Sequence, residues 1–445
     1  MKIQLPEKVK YIIDTITEAG FEAFAVGGCI RDSILSREPN DWDITTSAKP
    51  EQIKALFQRT IDTGIRHGTV TVMLDKEGFE VTTYRIDGEY EDSRHPKEVI
   101  FTANLVEDLK RRDFTINAMA YNDTAGLVDV FDGVKDMEKH VIRCVGNAME
   151  RFSEDALRIL RAIRFSAQLG YEIDPATQEA IRKLAGNLEH ISAERIREEL
   201  TKLLVSPHPD YLEKAYELGV TAVILPEFDR CMETPQNHKH HCMNVGKHIL
   251  CSVKEVRAIK ELRYAMLLHD IGKPRTMETD EAGITHFHGH PAVSAEMARQ
   301  ILRRLRFDND TVSTVTRLVE YHDYQNNTAA DMRIVRRAVN KIGEDIFPLL
   351  FEVRRADILA QSSYLREEKL AAVRQWELLY EKVTEEKQCV SLKTLAVTGS
   401  DLIGIGMQPG KELGIILKEL LEHVLDHPED NQKDILLAMA QKKIL

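Results

Sequence analysis

The chain has 445 residues, of which 43% are hydrophobic and 30% are charged, and its formal net charge is −12 at pH 7. This composition is typical of globular proteins and excludes a disordered chain, and the length predicts roughly three domains. The acidic balance argues against a protein that coats nucleic acid non-specifically, because such proteins are basic over most of their surface. A local basic groove is compatible with it, and "LKRRDF" at 109–114 is one basic segment.

The sequence contains no candidate membrane segment. No apolar run reaches the roughly 18 residues that span a bilayer, and the opening "MKIQLPEKVK" has no signal-peptide core. We therefore expect a cytoplasmic protein that makes no contact with a membrane. Six cysteines follow no disulfide spacing, which predicts free thiols in a reducing compartment.

The first 140 residues predict a small α+β unit. Apolar residues from Val9 to Ile16 recur at helical spacing, and Gly20 follows as a stop signal. Four stretches rich in valine, threonine and aromatic residues then predict strands: "FEAFAVG", "DWDITT", "GTVTVML" and "FEVTTYR". After about residue 140 the strand signal ends and helical periodicity continues to the last residue, with a break at 225–241. The remainder is expected to be all helical.

Two carboxylates one residue apart, Asp41 and Asp43, begin the second predicted strand. Residues two apart on a strand share a face, so these side chains are expected to project together while Trp42 and Ile44 face the core. A lone D-x-D is more often a turn or a cap. Here "VGGCIRD" upstream is a strand, a Gly-Gly turn and a helix start that can approach a phosphate, and Glu80 lies on a later strand. Three carboxylates on one sheet suit two Mg²⁺ ions, which predicts two-metal nucleotidyl transfer.

Four ordered motifs carry a family resemblance: "FAVGGCIRD", "NDWDITT", "RRDFTINAMAY" and "RFSEDALRILRAIRF". They resemble the head and neck of the bacterial class II tRNA nucleotidyltransferases, which add CCA to tRNA, and of the related bacterial poly(A) polymerases. The resemblance implies an α+β fold in which a polymerase-beta-like head with a mixed sheet precedes helical domains. It also implies Mg²⁺ in the head, CTP and ATP as substrates, and tRNA as partner.

The resemblance also implies roles for individual residues. It makes Asp41 and Asp43 the metal ligands and Glu80 the third catalytic carboxylate. The nucleotide-binding residues that it implies are Gly27, Gly28, Arg31, Arg112, Asp113, Asn117, Glu154, Asp155, Arg158, Arg161 and Arg164. Without the resemblance, the arginines would be read as solvated basic faces, and the acidic residues at 154 and 155 as ion-pair partners on an exposed helix.

In this family the E-D-x-x-R pattern selects the incoming base, and donor–acceptor chemistry supports that role. Cytosine and adenine present an amino donor beside a ring-nitrogen acceptor, whereas uracil and guanine present the reverse. A carboxylate only accepts and a guanidinium only donates, so Asp155 and Arg158, one helical turn apart, would satisfy C and A and mismatch U and G. Glu194 and Arg195 in the following neck motif are expected to brace this template helix.

A His/Asp series occupies the second half of the chain, in "HHCMNVGKH", "LLHDIGKP", "HFHGHPAVSAEMA" and "VEYHDYQ". It resembles the HD phosphohydrolase superfamily. The divalent-metal ligands that the resemblance implies are His241, His269, Asp270 and Asp323, with His288 or His290 available for a second ion. Hydrolytic activity and a purely tRNA-binding role both remain open for this domain.

The expected domains are a nucleotidyltransferase head at 1–140, a neck with the template at 141–228, an HD domain at 229–330 and a tRNA-binding helical tail at 331–445. The polar segment 86–98 predicts a loop of the kind that full CCA-adding members keep. The alternatives are a poly(A) polymerase, a partial CC- or A-adding enzyme, or an HD phosphohydrolase with a nucleotide-binding head. The oligomeric state stays open.

Overall fold

A computed structural model describes residues 1–87, 99–324 and 329–444. The chain divides into two compact units, Met1–Pro226 and Glu227–Leu445. Most of the predicted polar loop, residues 88–98, lies outside the described residues. Within the described ranges, no helix combines the length and the apolar character that a membrane crossing requires. The six cysteines are free thiols, as predicted.

The first unit begins with helix α1 (Glu7–Glu18), which buries the predicted apolar stripe Val9, Ile12, Ile13 and Ile16. The strands that follow are β1 (Ala23–Val26), β2 (Asp43–Thr46), β3 (Thr60–Gly64), β4 (Thr69–Leu74), β5 (Glu77–Thr83), β6 (Arg85–Asp87), β7 (Val99–Phe101), β8 (Ala120–Asn122) and β9 (Gly126–Val128). Seven of them form one sheet in the order β3-β4-β5-β2-β1-β8-β9. Only β2 and β5 pair in parallel in this sheet. The predicted mixed sheet is confirmed.

Helices surround this sheet and form the neck. They are α2 (Gly28–Ile34), α3 (Pro50–Leu56), α4 (Leu105–Lys110), α5 (Gly133–Glu138), α6 (Ala148–Glu154), α7 (Leu157–Leu169), α8 (Pro175–Leu184), α9 (Ala193–Leu204), α10 (Leu212–Glu217) and α11 (Thr221–Ile224). Helix α4 packs on the sheet because Leu105 and Leu109 share a core with Phe24 and Tyr84. That packing places the basic segment after α4 near the end of β1.

The second unit is almost entirely helical. From the unit boundary its helices are α12 (Pro226–Glu233), α13 (Val245–Lys254), α14 (Lys260–Leu268), α15 (Lys273–Thr276), α16 (His290–Arg304), α17 (Asn309–Tyr321), α18 (Met332–Ile342), α19 (Phe347–Ala360), α20 (Arg366–Glu385), α21 (Gly399–Gly404), α22 (Lys411–Asp426) and α23 (Lys433–Ile444). The all-helical prediction misses two short strand pairs, Val141–Ile142 with Glu172–Ile173 and Glu278–Thr279 with Thr285–His286.

Candidate functional site

The three predicted catalytic carboxylates line one cleft of about 950 Å³ in the head. Strand register explains two of them: Ile44 pairs with Val81 in the parallel β2–β5 ladder, so Asp43 and Glu80 lie side by side one residue earlier. Asp41 precedes β2, so strand alternation does not place it, but it lines the same cleft. Trp42 is half-buried and also lines the cleft, which corrects the prediction that it faces the core.

The electrostatics of the cleft favour a bound cation. Loss of surrounding water raises the pKa of Asp43, against the effect of Arg112, and the charge of Asp41 raises it further. The pKa of Glu80 is raised by the same loss of water and then by Asp43 and Asp41. The three carboxylates oppose each other's ionisation, which a bound cation would offset. Carboxylate oxygens are also the ligands that Mg²⁺ prefers. The residues present therefore fit this metal.

The predicted phosphate cradle lies beside these carboxylates because Val26, the last residue of β1, pairs with Asp43. Gly27 follows with a φ of +86°, a conformation that side chains disfavour, and a Cβ there would lie 3.1 Å from Arg112 Nη1. Among the described residues, Nε of this arginine is buried without a hydrogen-bond partner. The turn therefore leaves room for the Arg112 guanidinium beside the carboxylates.

A chain of hydrogen bonds links the cradle to the neck. Arg31 Nη1 donates to Asn117 Oδ1 at 2.7 Å, and Asn117 Nδ2 donates to Asp113 Oδ1 at 3.1 Å. Asp113 Oδ2 accepts from Arg161 Nε on α7 at 2.7 Å. Arg164 is buried against Glu199 of α9. Arg161 and Arg164 of α7 are therefore paired with carboxylates in this structure, which excludes a solvated basic face for them.

The buried pair of Asp113 and Arg161 makes stability depend on pH. Burial alone would raise the pKa of Asp113, but Arg161 and Asn117 outweigh it and lower the value to about 2. The ionised carboxylate therefore stabilises the fold above its unfolded pKa of about 4 and loses this contribution as pH falls towards 2. We expect the difference in unfolding free energy between wild type and Asp113→Asn to shrink by about 1 kcal/mol between pH 5 and pH 3.

Urea unfolding, followed through Trp42 fluorescence in a Trp376→Phe background, measures this difference, because the chain has two tryptophans and Trp42 is the one in the head. A difference that does not change with pH would contradict the lowered pKa.

The template motif is not one continuous helix, contrary to prediction. Helix α6 ends at Glu154, Asp155 is extended, and α7 begins at Leu157, whose N–H donates to Asp155 Oδ1 at 3.0 Å. Arg195 donates to Asp155 Oδ2 at 2.8 Å, which agrees with its predicted bracing role. Arg158 donates to Glu154 Oε2 at 2.6 Å. Asp155 and Arg158 thus have separate partners and are not adjacent residues on one helix.

The second unit contains two His/Asp clusters that share one carboxylate. In the first cluster (His248, His269, Asp270 and Asp357), His248 Nε2 lies 3.2 Å from His269 Nε2 and 3.0 Å from Asp357 Oδ1. Asp270 Oδ2 lies 3.3 Å from His269 Nε2. In the second cluster (Asp270, His290 and His322), Asp270 Oδ1 lies 3.3 Å from His290 Nε2 and 3.9 Å from His322 Nε2. Asp270 therefore faces one cluster with each oxygen.

Hydrogen bonds orient all four histidines of these clusters alike. Each Nδ1 contacts a main-chain carbonyl, those of Ala360, Met266, Phe287 and Val319 for His248, His269, His290 and His322 respectively. An Nδ1–H that donates there leaves the lone pair on Nε2, and metal-binding histidines are oriented this way. In the neutral form of these rings the Nε2 lone pairs face one another and the carboxylates, an arrangement that a divalent cation satisfies. Mixed imidazole and carboxylate ligands suit borderline divalent metals.

These clusters differ from the predicted ligand set. Of the predicted residues they contain His269, Asp270 and His290. His241, His288 and Asp323 instead line an adjoining cleft of about 340 Å³, and none of them belongs to either cluster. His248, His322 and Asp357 were not predicted. Among the described residues, both groups of ligand atoms that converge within 4.8 Å are in this unit, and the head carboxylates do not converge as closely.

Comparison with known proteins finds similarity along almost the whole chain. Residues 23–143 match the family model of the poly(A) polymerase head domain, 170–232 match the model named "Probable RNA and SrmB- binding site of polymerase A", and 275–440 match one for domain 2 of tRNA nucleotidyltransferase. A solved CCA-adding enzyme of Bacillus stearothermophilus, in complex with CTP, is similar with a TM-score of 0.74 and 28% identity, covering 99% of this chain and 98% of that one. A CCA-adding enzyme of Thermotoga maritima complexed with tRNA shares the fold, with a TM-score of 0.59 and 20% identity over all of both chains.

Sequence relatives match over their full length as well. The CCA-adding enzyme of Lactiplantibacillus plantarum is 34% identical, with 98% of this chain and 97% of that protein covered. The CCA-adding enzyme of Levilactobacillus brevis is 35% identical, with coverage of 97% and 96%. The predicted resemblance is thereby confirmed, and the chain belongs to the family of CCA-adding enzymes, the tRNA nucleotidyltransferases.

Proposed function

We propose that this chain adds C, C and A in turn to the 3′ end of tRNA, using two CTP and one ATP and releasing pyrophosphate at each step. The observation that carries the proposal is the meeting of Asp41, Asp43 and Glu80 in one cleft, beside the Gly27 turn and Arg112. The similarity to CCA-adding enzymes over almost the whole chain supports this reaction over phosphohydrolysis as the main activity.

The chain's own residues then have separate tasks. Asp41 and Asp43, with Glu80, would hold Mg²⁺, which when bound activates the tRNA 3′-hydroxyl and stabilises the leaving pyrophosphate. Gly27, Gly28, Arg31 and Arg112 bind and orient the triphosphate through main-chain N–H groups and guanidinium donors. We assign the hinge to Asp113 and Asn117, base selection to Glu154, Asp155 and Arg158, and contacts to phosphate or tRNA to Arg161 and Arg164.

A tRNA that lacks its 3′ end, incubated with each nucleotide alone and with CTP and ATP together, tests the proposal. CTP alone should add two residues, and the two nucleotides together should add three. A long A tail would identify a poly(A) polymerase, and a product that stops after CC would identify a partial enzyme.

The loop at 86–98, which bears on full CCA addition, remains a prediction because residues 88–98 lie outside the described part of the chain.

Base selection can be tested at Asp155, whose two oxygens are held by Arg195 and the start of α7. Asparagine keeps the volume but replaces one acceptor with a donor, and so admits the edge pattern of U or G. We expect Asp155→Asn to lower the ratio of kcat/KM for CTP to that for UTP by roughly one to two orders of magnitude, equivalent to about 1–3 kcal/mol of lost mismatch penalty.

Arg195→Lys is the matched control, because it keeps the Asp155 carboxylate and weakens only its support; the ratio should then change little while the rate falls. An unchanged ratio in Asp155→Asn would make this residue a structural ion-pair partner.

We propose a second activity, metal-dependent phosphoester hydrolysis, for the two His/Asp clusters. The observation that favours it is Asp270, whose two oxygens face separate sets of histidine nitrogens, as a carboxylate shared by two metal ions would. We assign the ligands of the first ion to His248, His269, Asp270 and Asp357, and those of the second to Asp270, His290 and His322.

We retain the expected division into a head, a neck, this His/Asp domain and a tRNA-binding tail as a proposal.

A further inference from the structure

Phe165 lies among three arginine guanidinium groups at the junction of head and neck. Its ring centroid is 5.0 Å from the guanidinium carbon of Arg31, 5.3 Å from that of Arg161 and 3.8 Å from that of Arg164. All three lie within the roughly 6 Å at which a cation is attracted to an aromatic face. The side chain is 5% exposed, so little water screens these contacts.

The ring completes a closed circuit of contacts. Arg31 binds Asn117, Asn117 binds Asp113, Asp113 binds Arg161, and both arginines contact Phe165. The circuit joins α2 of the proposed triphosphate cradle to α7 of the neck. Phe165 is its one apolar member, and it holds two guanidinium groups without neutralising their charge.

Arg31 retains capacity for a ligand within this circuit. Its Nε and Nη2 each donate to Asp32 at 2.9 Å, and its Nη1 donates to Asn117. These bonds use three of the five N–H groups of a guanidinium. The Phe165 ring contacts the same guanidinium group without occupying an N–H.

We propose that Phe165 is a positioning residue for the nucleotide: its aromatic face fixes Arg31 and Arg161 relative to each other, and so keeps the triphosphate cradle in register with the base-selecting neck. This inference rests on the proposed function, because it takes a nucleoside triphosphate as the ligand. This positioning role is distinct from simple packing. The edge-to-face contact of Phe165 with Phe114, whose ring centroids lie 5.8 Å apart, would be enough to bury the ring, and the guanidinium contacts are additional to it.

Leucine and tyrosine at position 165 separate these roles. Phe165→Leu keeps an apolar side chain but removes the ring, whereas Phe165→Tyr keeps the ring. Calorimetric titration of the full chain with CTP or CMP, in the presence of Mg²⁺, isolates the contribution of the β- and γ-phosphates, which CMP lacks. We expect Phe165→Leu to weaken CTP binding about fivefold, the factor equivalent to about 1 kcal/mol, and to leave CMP binding unchanged. Phe165→Tyr should bind CTP as the wild type does.

Phe152→Leu is the matched control, because it makes the same change at a fully buried phenylalanine of α6. It should lower the unfolding temperature and leave CTP binding unchanged. Equal weakening of CTP and CMP in Phe165→Leu, or no weakening of either, would overturn the positioning role.

A double variant tests whether Phe165 acts through Arg31. In an Arg31→Gln background, Phe165→Leu should weaken CTP binding by less than about twofold, because the group that it positions is gone. A full fivefold effect in that background would overturn the proposal. The outcome is independent of catalysis: a chain that binds CTP in this pattern but adds no nucleotide to tRNA would refute the proposed function and leave the role of Phe165 standing.

Discussion

Replacing Asp43 with alanine is expected to abolish nucleotide incorporation into tRNA, and Asp41→Ala is expected to do the same. Both carboxylates line the head cleft, where burial and then the charge of Asp41 raise the pKa of Asp43. A metal at such a site supplies several kcal/mol of transition-state stabilisation, so its loss should reduce kcat by at least about a thousandfold. Single-turnover incorporation of CTP with saturating Mg²⁺ measures this effect.

The binding of tRNA should survive both substitutions, because the residues are assigned to metal binding and not to RNA contact. Asp62→Ala is the matched control: it removes an exposed aspartate from β3 of the same sheet, where its partner is Lys54. It should leave both incorporation and tRNA binding near wild type. More than a small residual Mg²⁺-dependent activity in Asp41→Ala or Asp43→Ala would refute the two-metal assignment.

The core strands of the head could be predicted because their pattern is local. The stretches that predict β1, β2, β4 and β5 are rich in β-branched and aromatic residues with turn signals between them. Strand β3, "TIDTG", also contains β-branched residues, but most of its residues are exposed and none is buried. It is a strand because β4 pairs with it. The sequence of the strand alone does not contain that information.

The helical spacing of the sequence also fails to predict the break in the template motif. No proline or glycine interrupts residues 153–165, so the spacing alone predicts one helix. The carboxylate of Asp155 instead accepts the N–H of Leu157, two residues on, as aspartates in turns do. The preference of aspartate for turns is the signal in the sequence. The family resemblance predicts that Arg195 braces the template helix, but the contact with Asp155, 40 residues away, is not contained in the spacing.

The His/Asp clusters show which part of a site a sequence motif can predict. His269 and Asp270 are adjacent, so their pairing was evident. The sequence motif predicts His241, but His248 is the histidine that lies on the buried face of α13. Asp357 lies on α19, outside the four His/Asp motifs of the sequence. It reaches the cluster only because α19 packs against α13 and α14. Tertiary packing brings these side chains together.

The second large effect is expected from His269→Ala combined with Asp270→Ala. This double variant removes a nitrogen ligand and the carboxylate that both clusters share, so it should eliminate metal-dependent phosphatase or phosphodiesterase activity. Addition of CCA should remain largely intact, because the head carboxylates belong to the other unit. Hydrolysis of p-nitrophenyl phosphate and its bis ester with added Mn²⁺, Co²⁺ or Ni²⁺ measures the first effect, and incorporation into tRNA measures the second.

Metal content gives an independent measure of the same assignment. The wild type, equilibrated with Mn²⁺ and freed of excess ion, should hold up to two ions in this unit, and the double variant should lose both. His423→Ala with Asp430→Ala is the matched control, because it removes a His/Asp pair 2.7 Å apart in the tail of the same unit. His248→Gln keeps a side chain of similar polarity and should lose the ion of the first cluster even if the double variant folds poorly. Undiminished hydrolysis and metal content in these variants would show that the clusters are buried polar networks and not metal sites.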